Sequence, residues 1–251
     1  MIKIDHLVKA YNAVKVLDIV QLNIPQGQSF GLVGNNGAGK TTLFRLILDL
    51  INADQGQVLS KDIAVNKDSQ WKKYTGSFLD EGFLIDFLKP EEYFKFIADI
   101  NGVTKEDLEI FYNDFADFFG DEVLNKNKYI RDFSRGNQKK IGIFGAIISQ
   151  PEVLILDEPF ASLDPSSQIR LKTLLEVLHQ KNNLTMLISS HDLNHIAEVS
   201  QRIVILEKGR VVKDLLTSDN TLSELEGYFK PKTSVEAERI TTNNNSIQGA
   251  V

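Results

Sequence analysis

Gly34-Asn35-Asn36-Gly37-Ala38-Gly39-Lys40-Thr41-Thr42 decides how this chain is read. An apolar run, residues 30–33, precedes it, and the helical pattern Leu43, Leu46, Ile47 and Leu50 follows. A strand, a glycine-rich loop and a helix in that order are what a phosphate cradle requires. Glycines let the backbone curl around an anion without Cβ clashes, so successive N–H groups point inward. The helix start adds unpaired donors and the positive end of its dipole. At this spacing Lys40 reaches the β- and γ-phosphates of a nucleotide, and the Thr41 hydroxyl ligates Mg²⁺.

Upstream, residues 2–7 and 14–24 alternate in the manner of strands, with Tyr11-Asn12 between them and a turn at Pro25-Gln26-Gly27. Downstream, Asp54-Gln55-Gly56 turns the chain into a short strand near Val58. These pieces predict an antiparallel β region attached to an α/β core. Residues 87–150 change character towards helix. Pro90 with Glu91 and Glu92 is a helix start, because Pro suits the first turn and acids suit its dipole. Tyr93, Phe96, Ile97 and Ile100 then mark one face. Thr104 caps a second helix, with Leu108, Phe111, Phe115 and Phe118 on its inner side. Aromatics at this spacing read as core, so the segment is expected to be a helical subdomain inserted into the α/β core.

The core resumes at Val153-Leu154-Ile155-Leu156, the continuous apolar run of a central parallel strand, and ends in Asp157-Glu158. A helix with Leu171, Leu174, Leu175 and Leu178 follows, then a buried strand, residues 185–189, that leads to His191. Residues 203–206 and 211–214 read as a hairpin around Lys208-Gly209. Alternating strands and helices imply a mostly parallel sheet with its function at the strands' carboxyl ends. An amphipathic helix is expected near residues 222–229, and the polar stretch 230–251 is expected to be a disordered tail.

Two adjacent acids at a strand end supply what phosphoryl transfer to water needs. Asp157 holds Mg²⁺, and Glu158 orients or deprotonates the attacking water. Alone this is a strand meeting solvent; beside the phosphate loop, both features converge on one nucleotide.

These motifs and their order resemble the ATP-binding subunits of ATP-binding cassette (ABC) transporters, over residues 2–229. The resemblance implies a P-loop NTPase core, with residues 1–229 as one ATP-binding domain and residues 87–150 as its helical part. Residues 34–42 resemble the Walker A loop, and residues 153–158 the Walker B strand with its catalytic glutamate. Ser134-Arg135-Gly136-Asn137-Gln138 resembles the family signature, which addresses ATP held by the other subunit. Ala161-Ser162-Leu163-Asp164 resembles the D-loop, His191 the switch histidine, and Tyr11 the aromatic that stacks on adenine. Ser134 and Asp164 are equally explained as ordinary helix caps. His195 receives no role.

Two positions depart from the family pattern. Asp80 stands where a glutamine contacts Mg²⁺ and water, with Glu81 a second candidate; Arg135 and Asn137 alter the signature around a retained Gly136.

The resemblance implies ATP and Mg²⁺ as cofactors and a head-to-tail homodimer, or a heterodimer with a related subunit. It also implies separate integral membrane subunits that dock near residues 80–96, and export as the direction. The rival readings are a soluble cassette ATPase acting on ribosomes or DNA, and an ATP-binding module with impaired hydrolysis. The whole chain agrees with the first reading. Its 251 residues carry a net charge of -6, which opposes binding by neutralisation of nucleic-acid phosphates. Cysteine is absent, which removes disulfides and thiolate chemistry. The longest apolar stretches, such as residues 141–148, are too short to span a bilayer, and residues 1–5 show no signal-peptide core. The expected location is therefore the cytoplasm, peripherally attached to a membrane.

Overall fold

The structure is a computed structural model and describes residues 1–229; the tail expected from residue 230 onward lies outside the described residues. Strands β1 (Ile2–Tyr11) and β2 (Val14–Ile24) form a hairpin in register Tyr11↔Val14. Its two-residue turn, Asn12-Ala13, has φ of 49° and 65°. Positive φ at both positions suits the right-handed twist of the flanking strands. Strand β3 (Ser29–Val33) runs into the glycine loop, which opens helix α1 (Lys40–Ile47). Strands β4 (Gln55–Ser60) and β5 (Ile63–Ala64) complete a four-stranded antiparallel sheet of order β2-β1-β4-β5.

Strand β6 (Thr75–Phe78) precedes the helical stretch: α2 (Pro90–Asn101), α3 (Lys105–Asp114), the single turn α4 (Ala116–Phe119) and α5 (Arg135–Ile147). The chain continues through β7 (Val153–Leu156), α6 (Pro165–Asn182), β8 (Thr185–Ser190), α7 (Leu193–Val199), β9 (Arg202–Glu207) and β10 (Arg210–Leu216). The second sheet has the order β10-β9-β3-β8-β7-β6, and only its β9–β10 pair is antiparallel. A parallel sheet covered on both faces explains why β7 reads as an unbroken apolar run and why β3 and β8 are buried along their whole length. Leu43, Phe44, Leu46 and Ile47 of α1 share one buried core with Ile4, Leu17 and Ile19 of the first sheet and Ile155 and Leu187 of the second. That shared core fixes the helix that follows the phosphate loop against both sheets. These residues up to Thr217 form one compact unit, and a second begins at Ser218. In the second, α8 (Thr221–Phe229) is preceded by a bond from Ser218 N–H to Thr221 Oγ1 at 2.7 Å.

The helical stretch differs from the sequence pattern in one face. On α2, Tyr93 is buried together with Phe94 and Ala98, whereas Phe96 and Ile100 are exposed. The helix carries aromatics on two sides, and the side chosen is the one where Phe94 meets Phe144 of α5, ring centroids 4.6 Å apart. Helix α3 caps at Thr104 as its sequence implies, with the hydroxyl accepting from Asp107 N–H. It ends at Asp114, so Phe118 reaches the core from α4.

Candidate active site

The carboxyl ends of β3, β7 and β8 lie side by side, because Val33 pairs with Ser190 and Leu156 with Ile188. The next residues along these strands are Gly34, Asp157 and Ser189 with His191. The register alone therefore brings the glycine loop and both acids to one edge.

The loop is pinned from outside. Ala38 N–H donates to Asn35 C=O at 3.0 Å, and Ala38 C=O accepts from Gly209 N–H, in the β9–β10 turn, at 2.9 Å. Gly39 has φ 107°, and a Cβ there would lie 2.8 Å from the carbonyl oxygen of Val16, so glycine is required on both counts. The first turn of α1 carries no acidic residue, which leaves its N–H donors and dipole free for an anion. Lys40 is 6% exposed; its Nζ donates to Gly34 C=O at 2.6 Å and lies 3.2 Å from Glu158 Oε1. Glu158 Oε1 is buried and finds no aligned hydrogen-bond donor. A buried ammonium paired with a carbonyl and a carboxylate beside a glycine loop and a helix start has the chemistry to take a phosphate.

Thr41 Oγ1 donates to Asp157 Oδ2 at 2.5 Å, and Ser189 Oγ donates to Asp157 Oδ1. Burial raises the Asp157 pKa above its ordinary value, against the pull of the Ser189 and Thr41 hydroxyls. A hydroxyl and a carboxylate in contact are hard oxygen donors that suit Mg²⁺, which fills its remaining positions with water and phosphate oxygens. Among the described residues no group of three or more His, Asp or Glu is arranged to hold a metal by itself.

Glu158 adopts φ 48°, the left-handed region that costs a non-glycine residue about 1–2 kcal/mol. Side chains hold the two peptide groups that flank its Cα. Its N–H donates to Ser189 Oγ at 2.9 Å, and its C=O accepts from Lys139 Nζ at 2.8 Å. The turn throws the carboxylate back over the loop, where Oε2 meets His191 Nδ1 at 2.8 Å and accepts from His191 N–H at 3.3 Å. The carboxylate thus bridges Lys40 and His191.

Other sequence-derived candidates sit around this cluster. Tyr11 is exposed at the end of the β1–β2 hairpin, the same hairpin whose Val16 carbonyl touches Gly39. Ser134 caps α5, its Oγ accepting from Asn137 N–H at 3.3 Å, while Gln138 Nε2 donates to Ile130 C=O and Phe133 C=O, both at 3.1 Å. Ser134 and Arg135 are exposed. A Cβ on Gly136 would lie 2.8 Å from Ser162 C=O, so glycine is needed there for contact with the chain's own 161–164 loop. Asp164 caps α6, accepting from Ser167 N–H at 3.0 Å and from the Ser166 and Ser167 hydroxyls, which hold its pKa well below the usual carboxylate range. Asp80 accepts from Gly82 N–H at 2.7 Å and lies 3.8 Å from Arg45 Nη2. Glu81 lies 3.6 Å from Lys139 Nζ.

Two residues of the cluster escaped the sequence reading: Ser189 and Lys139. Ser189 was visible as a hydroxyl inside a strand otherwise read only for its burial. Lys139 was visible as a charge at the head of an apolar helix.

Residues 17–161 match the family profile described as ABC transporter. The chain belongs to the ABC transporter family. This cassette is 36% identical over 213 residues to the uncharacterized ABC transporter ATP-binding protein YhaQ of Bacillus subtilis, spanning 84% of this chain and 70% of that protein. It is 32% identical over 247 residues to the oligopeptide transport ATP-binding protein OppF of Streptococcus mutans, spanning 91% and 80% respectively. Its fold matches the dimeric bacterial ABC transporter cassette MJ0796 at a TM-score of 0.78 and 23% identity, covering 87% of this chain and 99% of that one. The mostly parallel sheet, the antiparallel β region and the helical stretch are thus those of an ABC ATPase cassette.

Proposed function

We propose that this cassette binds MgATP on residues 34–42 and hydrolyses it to drive export through separate membrane-spanning subunits. The observation that carries the reading is the Glu158 carboxylate, held between Lys40 Nζ at 3.2 Å and His191 Nδ1 at 2.8 Å over the mouth of the loop.

Without nucleotide, Lys40 neutralises Glu158. An incoming γ-phosphate takes over the Lys40 ammonium and the α1 dipole, which frees Glu158 Oε1 to accept a proton from the attacking water. His191, at the other carboxylate oxygen, then faces the same phosphate. Bound Mg²⁺, for which Thr41 and Asp157 are the fitting donors, supplies charge neutralisation on the β- and γ-oxygens. Tyr11 offers a ring to adenine from the adjoining hairpin. Asp80, 3.8 Å from Arg45 of α1, occupies the position of the family's glutamine and is assigned to the outer edge of the metal site.

One loop and one signature per chain leave each site half built, so the working form is a head-to-tail pair, with residues 134–138 and Asp164 of each cassette closing the other's nucleotide. The MJ0796 cassette, whose fold this chain shares, is itself dimeric, and the exposure of Ser134 and Arg135 supports a paired arrangement here. A homodimer or a pairing with a related cassette fulfils it equally. Membrane subunits are assigned to the stretch that carries exposed Phe83 (55%), Phe87 (62%) and Phe96 (44%), apolar surface that a lone domain has reason to cover. No described helix is long and apolar enough to cross a membrane itself. The cassette is assigned to the cytoplasmic face, peripherally attached through those membrane subunits. Export follows family analogy from the lone compact cassette and the style of its signature.

The decisive experiment compares wild type with Glu158→Gln. ATP turnover is expected to fall by a factor of about 100 or more while nucleotide affinity is kept, since only the proton acceptor is lost. The variant is also expected to elute as an ATP-dependent dimer in size-exclusion chromatography. Turnover that survives in Glu158→Gln would sink the reading of this site.

A further inference from the structure

Lys139 is a buried cation that the proposed chemistry does not use. It lies in the first half of α5 with 6% exposure, and the next residue, Lys140, is buried as well. Lys140 pairs with Glu122 at 3.1 Å, and Lys139 lies 3.6 Å from Glu81. Lys140 faces an exposed acid and reads as structural support. Lys139 differs, because its Nζ also donates to the carbonyl of Glu158 at 2.8 Å. An ammonium taken out of water is tolerated only when it is paired and hydrogen-bonded, so this side chain has little freedom to leave either partner.

The carbonyl it holds belongs to the strained residue. With φ at 48°, Glu158 relaxes towards ordinary backbone unless its surroundings over-determine it. Ser189 fixes the peptide group before its Cα and Lys139 the one after it. A change of φ or ψ at Glu158 re-aims its Cβ, and with it the carboxylate that meets Lys40 and His191. The same Lys139 Nζ lies 3.6 Å from Glu81 of the short 3₁₀ turn Glu81–Phe83. That turn is gripped twice, by Lys139 from α5 at Glu81 and by Arg45 from α1 at Asp80, 3.8 Å away. It also bears the exposed Phe83.

We infer that Lys139 is a positioning residue for Glu158, and that the Glu81–Lys139 pair transmits the position of the 81–83 turn to the hydrolytic carboxylate. The inference rests on the reading of Glu158 as the group that accepts the water proton. Nothing is transferred through Lys139. It sets the angle at which Glu158 meets the water, and its hold tightens or slackens as Glu81 approaches or withdraws.

The test uses the full chain with steady-state ATP turnover and equilibrium binding of a fluorescent ATP analogue. Lys139→Met keeps the buried stem and removes the donor; kcat is expected to fall ~10- to 100-fold, with KM and analogue affinity changed less than about 2-fold. Lys139→Arg restores a cation and donor and is expected to recover kcat to within roughly 5-fold of wild type. Glu81→Gln is expected to lower kcat roughly 3- to 10-fold without changing affinity, because the cation loses its charged partner but keeps the carbonyl. A kcat within about 2-fold of wild type in Lys139→Met overturns the inference, as does a loss that Lys139→Arg leaves uncorrected or one matched by lost affinity. If Lys139→Met does not fold, Glu81→Gln decides by the same criteria: unchanged kcat overturns the inference. Glu158→Gln is measured alongside. Turnover retained there refutes the role of Glu158 itself. Turnover abolished there but intact in Lys139→Met refutes only the positioning role.

Discussion

Ser189 Oγ accepts the backbone N–H of Glu158 at 2.9 Å. The same hydroxyl donates to Asp157 Oδ1, so one buried serine serves both acids of the candidate site. Strand register creates the link, since Leu156 lies opposite Ile188 and the next residue on each strand is Asp157 and Ser189. Ser189→Ala leaves the Glu158 N–H without its acceptor and strips one donor from a buried carboxylate. The expected cost is about 1–3 kcal/mol, the penalty for orphaned buried polar groups. At roughly 2–4 °C per kcal/mol for a chain this long, the melting temperature falls by several degrees. Turnover falls with it while ATP affinity holds, because the phosphate loop is untouched. An unchanged melt would mean that the hydroxyl is dispensable to both acids.

Lys40 tests the loop itself. Lys40→Met retains the buried stem and removes the ammonium that bridges Gly34 C=O and Glu158 Oε1. A charge-assisted contact to phosphate is worth about 1.5–3 kcal/mol, so ATP affinity is expected to drop roughly 10- to 100-fold in an equilibrium titration. Adenosine, which has no phosphate, should bind both proteins alike. Equal loss for adenosine would show that the substitution damaged the fold rather than a phosphate contact.

The aromatic helices invite a test of stability. Phe144 of α5 is fully buried, with ring centroids of Phe119 at 4.1 Å, Phe111 at 4.3 Å and Phe94 at 4.6 Å. Phe144→Ala removes the ring on which three helices converge, at a cost of about 3–5 kcal/mol. Phe144→Leu keeps most of the volume and should cost less than half as much. Urea unfolding followed by circular dichroism gives both values, and equal midpoints for the two variants would contradict a close-packed cluster.

Much of this was legible in the chain because it is local. The glycine loop, the apolar strands and the caps at Thr104, Ser134 and Asp164 depend on neighbours within a few residues, and the structure places each where its sequence implies. The buried face of α2 was not legible, because Phe94 and Phe96 are equally apolar and rings farther along the chain, Phe119 and Phe144, choose between them. The supports of Glu158 were hidden for the same reason. Ser189 and Lys139 lie 31 and 19 residues away in sequence, and nothing in their own surroundings announces contact with a strained peptide unit. The left-handed turn at Glu158 was equally silent, since glutamate has no preference for it.

The last prediction concerns pH and a histidine outside the proposed chemistry. His195 packs its ring against Phe160, centroids 4.6 Å apart, and its Nδ1 is buried with no hydrogen-bond partner among the described residues. Burial holds its pKa below the ordinary value of 6.5, helped by the Lys172 and His191 charges and opposed by Asp192 and Glu198. The folded protein therefore binds fewer protons at this site than the unfolded chain once the pH drops through 6.5, and stability is lost as pH falls through that range and below it. His195→Phe keeps a ring on Phe160 and removes the titrating group. Its melting temperature relative to wild type should be higher at pH 5.5 than at pH 7.5, because only wild type loses stability through this group as the pH falls. Every other titrating group is common to the two proteins, so their difference isolates His195. Parallel curves for the two across that range would show that the histidine crosses it with its pKa unaltered by folding.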